Sequence, residues 1–137
     1  MKGKNQTILA WTLRLIAAII MLQTLFFKFT GAEESVYIFS TLGIEPWGRI
    51  GTGVMELIAS VLLLFPKTTV LGALLALGIM GGAILSHVFF LGIEVQGDHG
   101  QLFLYALLVF ISALGLIYMQ RHELPHLKQL IPMGKGR

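Results

Sequence analysis

The chain has 137 residues, 55% of them hydrophobic and 12% charged, with a mean hydropathy of +0.81; a water-soluble domain of this size could not hide so much apolar surface, so one compact membrane domain is expected over 1–137. Cysteine is absent, which excludes disulfides, thiolate metal sites, CxxC redox chemistry and cysteine nucleophiles, and leaves any redox role to a bound cofactor or a partner. The net charge of +3 and the pI of about 9.5 do not point to nucleic acid, because Lys and Arg stand at the borders of apolar stretches, where they act as topology signals.

A membrane-spanning helix needs about 20 mainly apolar residues to cross about 30 Å of hydrocarbon. Four stretches meet this, at 7–29, 47–65, 68–92 and 100–120, and predict an all-α integral membrane four-helix bundle. The basic start, Met1-Lys2-Gly3-Lys4, has the look of a signal peptide. Arg14 interrupts the apolar run, however, the run is long and no small-x-small cleavage site follows, so an uncleaved first helix is expected. Arg14, Met21, Thr24 and Lys28 share one face of it, and Arg14 is expected to snorkel toward the inner border.

In the loop that follows, Thr30-x-x-Glu33 reads as a capping box, and Val36, Phe39 and Leu42 recur at helical spacing before Gly43. This predicts a short interfacial helix between the first two spans. Arg49, Thr52, Glu56 and Ser60 lie on one face of the second span, which must turn into protein. The connection Pro66-Lys67-Thr68-Thr69 makes the second and third spans antiparallel neighbours. On the third, Gly78, Gly82 and Ser86 form a small-residue face suited to close packing against another helix of the chain. Asp98 and His99 read as a solvated loop. Gln101, Tyr105, Ser112 and Gly115 mark the inner face of the fourth span, with Leu108 and Met119 completing the stripe. The basic tail 121–137, with Leu124, Leu127, Leu130 and Ile131, is expected on the inner leaflet.

With the N-terminus in the cytoplasm, Lys2, Lys4, Lys67, Arg121, Lys128, Lys135 and Arg137 fall inside and only Lys28 and Arg49 at the outer border. The positive-inside rule therefore favours a cell (inner) membrane protein with both termini cytoplasmic. Trp11 and Trp47 then fall near the inner and outer interfaces.

In this orientation Gln23, Thr24, Lys28, Arg49, Glu56, Ser86, His87, Gln101 and Tyr105 gather in the outer half. An unpaired charge at mid-membrane costs about 3 kcal/mol on insertion scales, so Glu56 is expected to pair with Lys28 or Arg49. The pair has two readings: a structural clamp that sets helix register, or part of a binding or proton-handling site. The candidate site residues are Glu56, Lys28, His87, Arg49, Gln23, Tyr105 and Gln101, in a mostly apolar cavity reached past Lys28 and 33–43; no catalytic residue and no metal ligand is assigned. A single histidine within the spans argues against bis-histidine haem, and no His/Glu spacing gives a metal motif. Phe26, Phe89 and Phe90 are expected on the cavity's apolar or lipid-side surface.

Phe27-Lys28-Phe29-Thr30-Gly31, Leu42-Gly43-Ile44-Glu45-Pro46-Trp47, Gly53-Val54-Met55-Glu56-Leu57 and Gly82-Ala83-Ile84-Leu85-Ser86-His87 resemble the DoxX/DoxD-like membrane family over about 10–120. The resemblance implies a four-helix bundle with Lys28 and Glu56 as the positions to watch. It also implies association with quinone-linked sulfur oxidation or membrane thiol and oxidative-stress systems, or, for distant relatives, with membrane-protein assembly and trafficking. Lacking cysteine, this chain cannot carry the dithiol chemistry of the thiol-active relatives.

Two functions follow as expectations. One is a small subunit of a membrane redox system, with a quinone as candidate cofactor, a membrane or redox partner protein, and Glu56 exchanging a proton while Lys28, His87 and Tyr105 position the head group. The other is a non-catalytic assembly or anchoring protein, with a small transporter ranking third. Beyond the lipid bilayer, a second copy of the chain is an open partner and nucleic acid is not expected. No complete catalytic constellation supports enzyme activity by the chain alone.

Overall fold

The computed structural model describes residues 3–126; the tail residues 127–137 lie outside the described part. Its helices are α1 (Lys4–Thr30), α2 (Glu33–Thr41), α3 (Trp47–Leu64), α4 (Thr69–Ser86) and α5 (Gln101–Met119). A wider π-helical turn, His87–Leu91, continues α4, and single-turn 3-10 pieces cover Pro66–Thr68 and Arg121–His126. Four helical stretches, Lys4–Thr30, Trp47–Leu64, Pro66–Leu91 and Gln101–Met119, are long and apolar enough to cross a bilayer. The chain is a multi-pass membrane protein, all-α, with α2 as the short helix between the first two spans.

The spans form a ring in which α1 touches α3 and α5, and α4 touches the same two. The core between them is built of small residues, with Ala17, Ala59, Ala73, Ala76 and Ala113 fully buried around Met21, Leu63, Val109 and Leu116. Lipid is as apolar as leucine, so close van der Waals contact rather than water exclusion holds membrane helices together, and alanine lets their backbones approach. Large side chains point outward instead. Phe26, Phe89 and Phe90 are two-thirds exposed or more, and none of them lines the cavity described below, so they belong to the lipid-facing surface alone.

Helix ends follow from local chemistry. Gly31 (φ +69) and Gly43 (φ +79) take the left-handed conformation that closes α1 and α2. After α2, Ile44 N–H donates to Phe39 O and Gly43 N–H to Ser40 O, both helix-terminating bonds. The expected capping box does not form. Thr30 is still inside α1, where its hydroxyl donates to Phe26 O, and α2 starts from Ala32 without a side-chain cap.

Two other expectations are corrected. Arg14 does not snorkel to the border: it is buried, its Nε donates to Leu63 O at 2.6 Å, and its guanidinium lies 3.6 Å over the Trp11 ring. It thus places a cation on a carbonyl at the C-terminal end of α3, which helix geometry leaves without an N–H partner. The small-residue face of α4 behaves differently along its length. A Cβ on Gly72 would meet Leu63 N at 2.8 Å and Ala59 O at 3.0 Å, so here α3 and α4 are in backbone contact; a Cβ on Gly78 or Gly82 would meet nothing within 4 Å. Gly72 faces α3, whereas Gly78 and Gly82 fall on another side of α4 and are exposed.

Candidate functional site

A cavity of about 730 Å³ lies in the α2 half of the bundle, within the range of about 300–1,000 Å³ typical of small-molecule sites. Every span contributes to its wall, and Ser35, Ile38 and Phe39 of α2 close it from above. Most of the lining is apolar. The polar groups come from Gln23, Thr24 and Lys28 of α1, Glu34 of α2, Thr52 and Glu56 of α3, Ser86 and His87 at the end of α4, and Gln101 and Tyr105 of α5.

Glu56 is the innermost charge. Its neighbours on the same face of α3 are Thr52 and Ser60, and Ser60 hydroxyl folds back onto the Glu56 carbonyl at 2.8 Å, leaving the carboxylate free of its own helix. Lys28 Nζ stands 3.2 Å from Glu56 Oε1, with side-chain exposures of 16% and 4%. The contact is an ion pair, and the Lys28 ammonium is the cation that offsets the burial of the Glu56 carboxylate on the cavity wall.

Of the two partners foreseen for Glu56, Lys28 is the one used. Arg49 instead binds Glu45, one turn before it, through Nε (3.0 and 3.1 Å to the two carboxylate oxygens) and Nη2 (2.8 Å). Its Nη1 donates to the Lys28 carbonyl. Arg49 is not part of the cavity wall; it fastens the start of α3 to the last turn of α1, and so holds the backbone from which Lys28 reaches Glu56.

His87 is buried and held by the π-turn. Its carbonyl accepts from Gly92 N–H at 2.7 Å, while its ring Nδ1 lies 3.0 Å from Gly92 O. A carbonyl can only accept, so Nδ1 carries a proton. Phe103 braces the ring edge-on with centroids 5.5 Å apart. On α5, Gln101 Nε2 donates to Tyr105 hydroxyl oxygen at 2.8 Å, which leaves the phenolic proton available to another acceptor. Gln23, Lys28, Glu56, His87, Gln101 and Tyr105 all reach the one cavity.

Two acids were not foreseen in these roles. Glu34 read as loop charge, yet it lines the cavity while Glu33 beside it is exposed; burial, and then the charge of Asp98, push its carboxyl above the usual range. Asp98 is not merely solvated. Its Oδ1 accepts from Val95 and Gly100 N–H at 2.9 and 2.8 Å, and its Oδ2 from Leu102 N–H at 3.2 Å, so it ties the loop to the start of α5. Burial pulls its carboxyl upward, but these three N–H groups and His87 outweigh that and hold it below the usual range. The sequence signal for Glu34 was the side of the short helix on which it falls; for Asp98, it was an acid two residues before a helix-opening glycine.

A family model described as DoxX-like family matches residues 12–116, a stretch that contains every cavity-lining side chain. No curated protein matches the chain, and no solved structure does.

Proposed function

The chain belongs to the DoxX-like family, and from that premise we propose that it is the membrane subunit of a quinone-linked redox system, seating a quinone head group in the α2 half of the bundle. The observation that carries this reading is Glu56: a carboxylate 3% exposed, held by one lysine, on the wall of a mostly apolar cavity. A quinone ring suits apolar walls, and its two oxygens need donors or acceptors at opposite edges. Lys28, Tyr105 and the His87 ring supply these. Reducing a quinone to a quinol takes up two electrons and two protons. A redox partner protein supplies the electrons; this chain binds the ring and passes protons, with Glu56 as the exchanging group.

Both termini are placed in the cytoplasm by the lysine and arginine distribution, so that the cavity lies in the outer leaflet of the cell membrane. The test is binding. The protein purified in mild detergent should bind a decyl-tailed benzoquinone saturably, and Glu56→Gln and Lys28→Met should each weaken binding by about tenfold or more, the effect of losing about 1.4 kcal/mol. Absence of saturable binding by the wild-type chain would overturn the reading in favour of an assembly or anchoring protein.

A further inference from the structure

The cavity has a missing wall. Beside Met55, which is 45% exposed, the facing stretch of α4 carries Gly78 and Gly82, both on the cavity and both without any atom within 4 Å of a would-be Cβ. Met55, Gly78 and Gly82 all line the cavity, are all exposed and all stand in the middle of their spans, so the opening beside them faces sideways, where a bilayer would be, rather than toward water. α2 roofs the cavity on the aqueous side with Ile38, Phe39 and Leu42. On the α1–α5 side the wall is polar, with Gln23, Gln101 and Tyr105.

We infer that the slot over Gly78 and Gly82 is a lateral portal, through which an amphiphile with a polar head and a single flexible hydrocarbon tail enters from the bilayer, the head reaching Glu56 while the tail stays in the slot. The inference rests on the reading that the cavity binds a ligand, and commits to the ligand's class and route. The apolar seam matches a hydrocarbon tail, and the buried Glu56 carboxylate at the inner end, with the Lys28 ammonium beside it, matches a polar head. Glycine rather than alanine or leucine at 78 and 82 keeps the slot wide enough for a chain to lie against the α4 backbone. A water-soluble ligand would need neither a sideways opening nor an apolar slot.

The experiment compares two probes, a decyl-tailed dimethoxybenzoquinone and the same quinone without the tail, on the purified full chain. A Cβ at Gly78 or Gly82 meets nothing within 4 Å and leucine is the better helix former, so Gly78→Leu and Gly82→Leu should fold while narrowing the slot; Ile111→Trp, on the lipid face of α5, is the control. The portal predicts that each glycine variant weakens the tailed probe by about tenfold and the tail-less probe by less than about twofold. Unchanged binding of the tailed probe in both variants, with both probes lost in Glu56→Gln, would overturn the portal and keep the site. Equal weakening of both probes would overturn it too, since the leucine would then be distorting the head-group site. Failure of the tailed probe to bind the wild type would remove the site and the portal together.

Discussion

Replacing Lys28 by Met should destabilise the bundle more than replacing Lys28 and Glu56 together. At 3.2 Å and an effective dielectric constant of about 20, opposite unit charges attract by about 5 kcal/mol. Bringing both ions out of water costs several kcal/mol each, so the intact pair contributes little net stability. Taking away the cation leaves the desolvation cost of Glu56 with nothing to offset it, about 3–5 kcal/mol for a buried pair broken on one side. Glu56→Gln should cost less than Lys28→Met, because Lys28 is the more exposed member and its long stem can carry the ammonium to the interface. The double variant Lys28→Met/Glu56→Gln should then be more stable than Lys28→Met alone. The assay is equilibrium unfolding of the four proteins in mixed micelles titrated with SDS, followed by circular dichroism. Destabilisations that add within about 0.5 kcal/mol would show that the two sites are uncoupled and would refute the argument that the lysine holds the carboxylate.

Gly72→Ala should cost about 1–3 kcal/mol by prising α3 from α4, whereas Gly78→Ala should be neutral or slightly stabilising; the same unfolding titration distinguishes them. Asp98→Ala should fray the start of α5, by about 0.5–2 kcal/mol, read as faster hydrogen exchange at Gly100 and Leu102. The wild-type carboxyl, held low, contributes stability that is complete above its unfolded pKa of about 3.9 and lost as pH falls through the folded value. Glu34 runs the other way: held high, its contribution is complete below the unfolded pKa and lost as pH rises through the folded one, so Glu34→Gln should flatten stability across that window in a pH series. For topology, single cysteines at Glu33 and Glu94, both exposed, should react with an impermeant external thiol reagent in intact cells, and one at the exposed Lys67 should not; labelling at Lys67 alone would reverse the orientation.

The spans, the short helix between the first two, and the inward faces of α1 and α3 were legible in the sequence; on α4 the buried residues are Val70, Ala73, Ala76 and Met80 rather than Gly78 and Gly82, and Leu108 of the stripe expected on α5 is exposed. Hydropathy over about 20 residues and helical periodicity are local properties, and a bilayer leaves helices almost no alternative. That Glu56 needed a cation was legible as well, from the cost of an unpaired charge. Which cation it took was not, since Lys28 and Arg49 stood equally well placed until Glu45, four residues before Arg49, captured the guanidinium. The same limit applies to the glycines of α4. Gly72, Gly78 and Gly82 are alike as residues, yet one lies in backbone contact and two face open space, because only the packing decides which side of α4 meets α3. Arg14 shows it once more: the side chain is long enough to reach the interface, and only the position of the Leu63 carbonyl and the Trp11 ring decides that it stays inside.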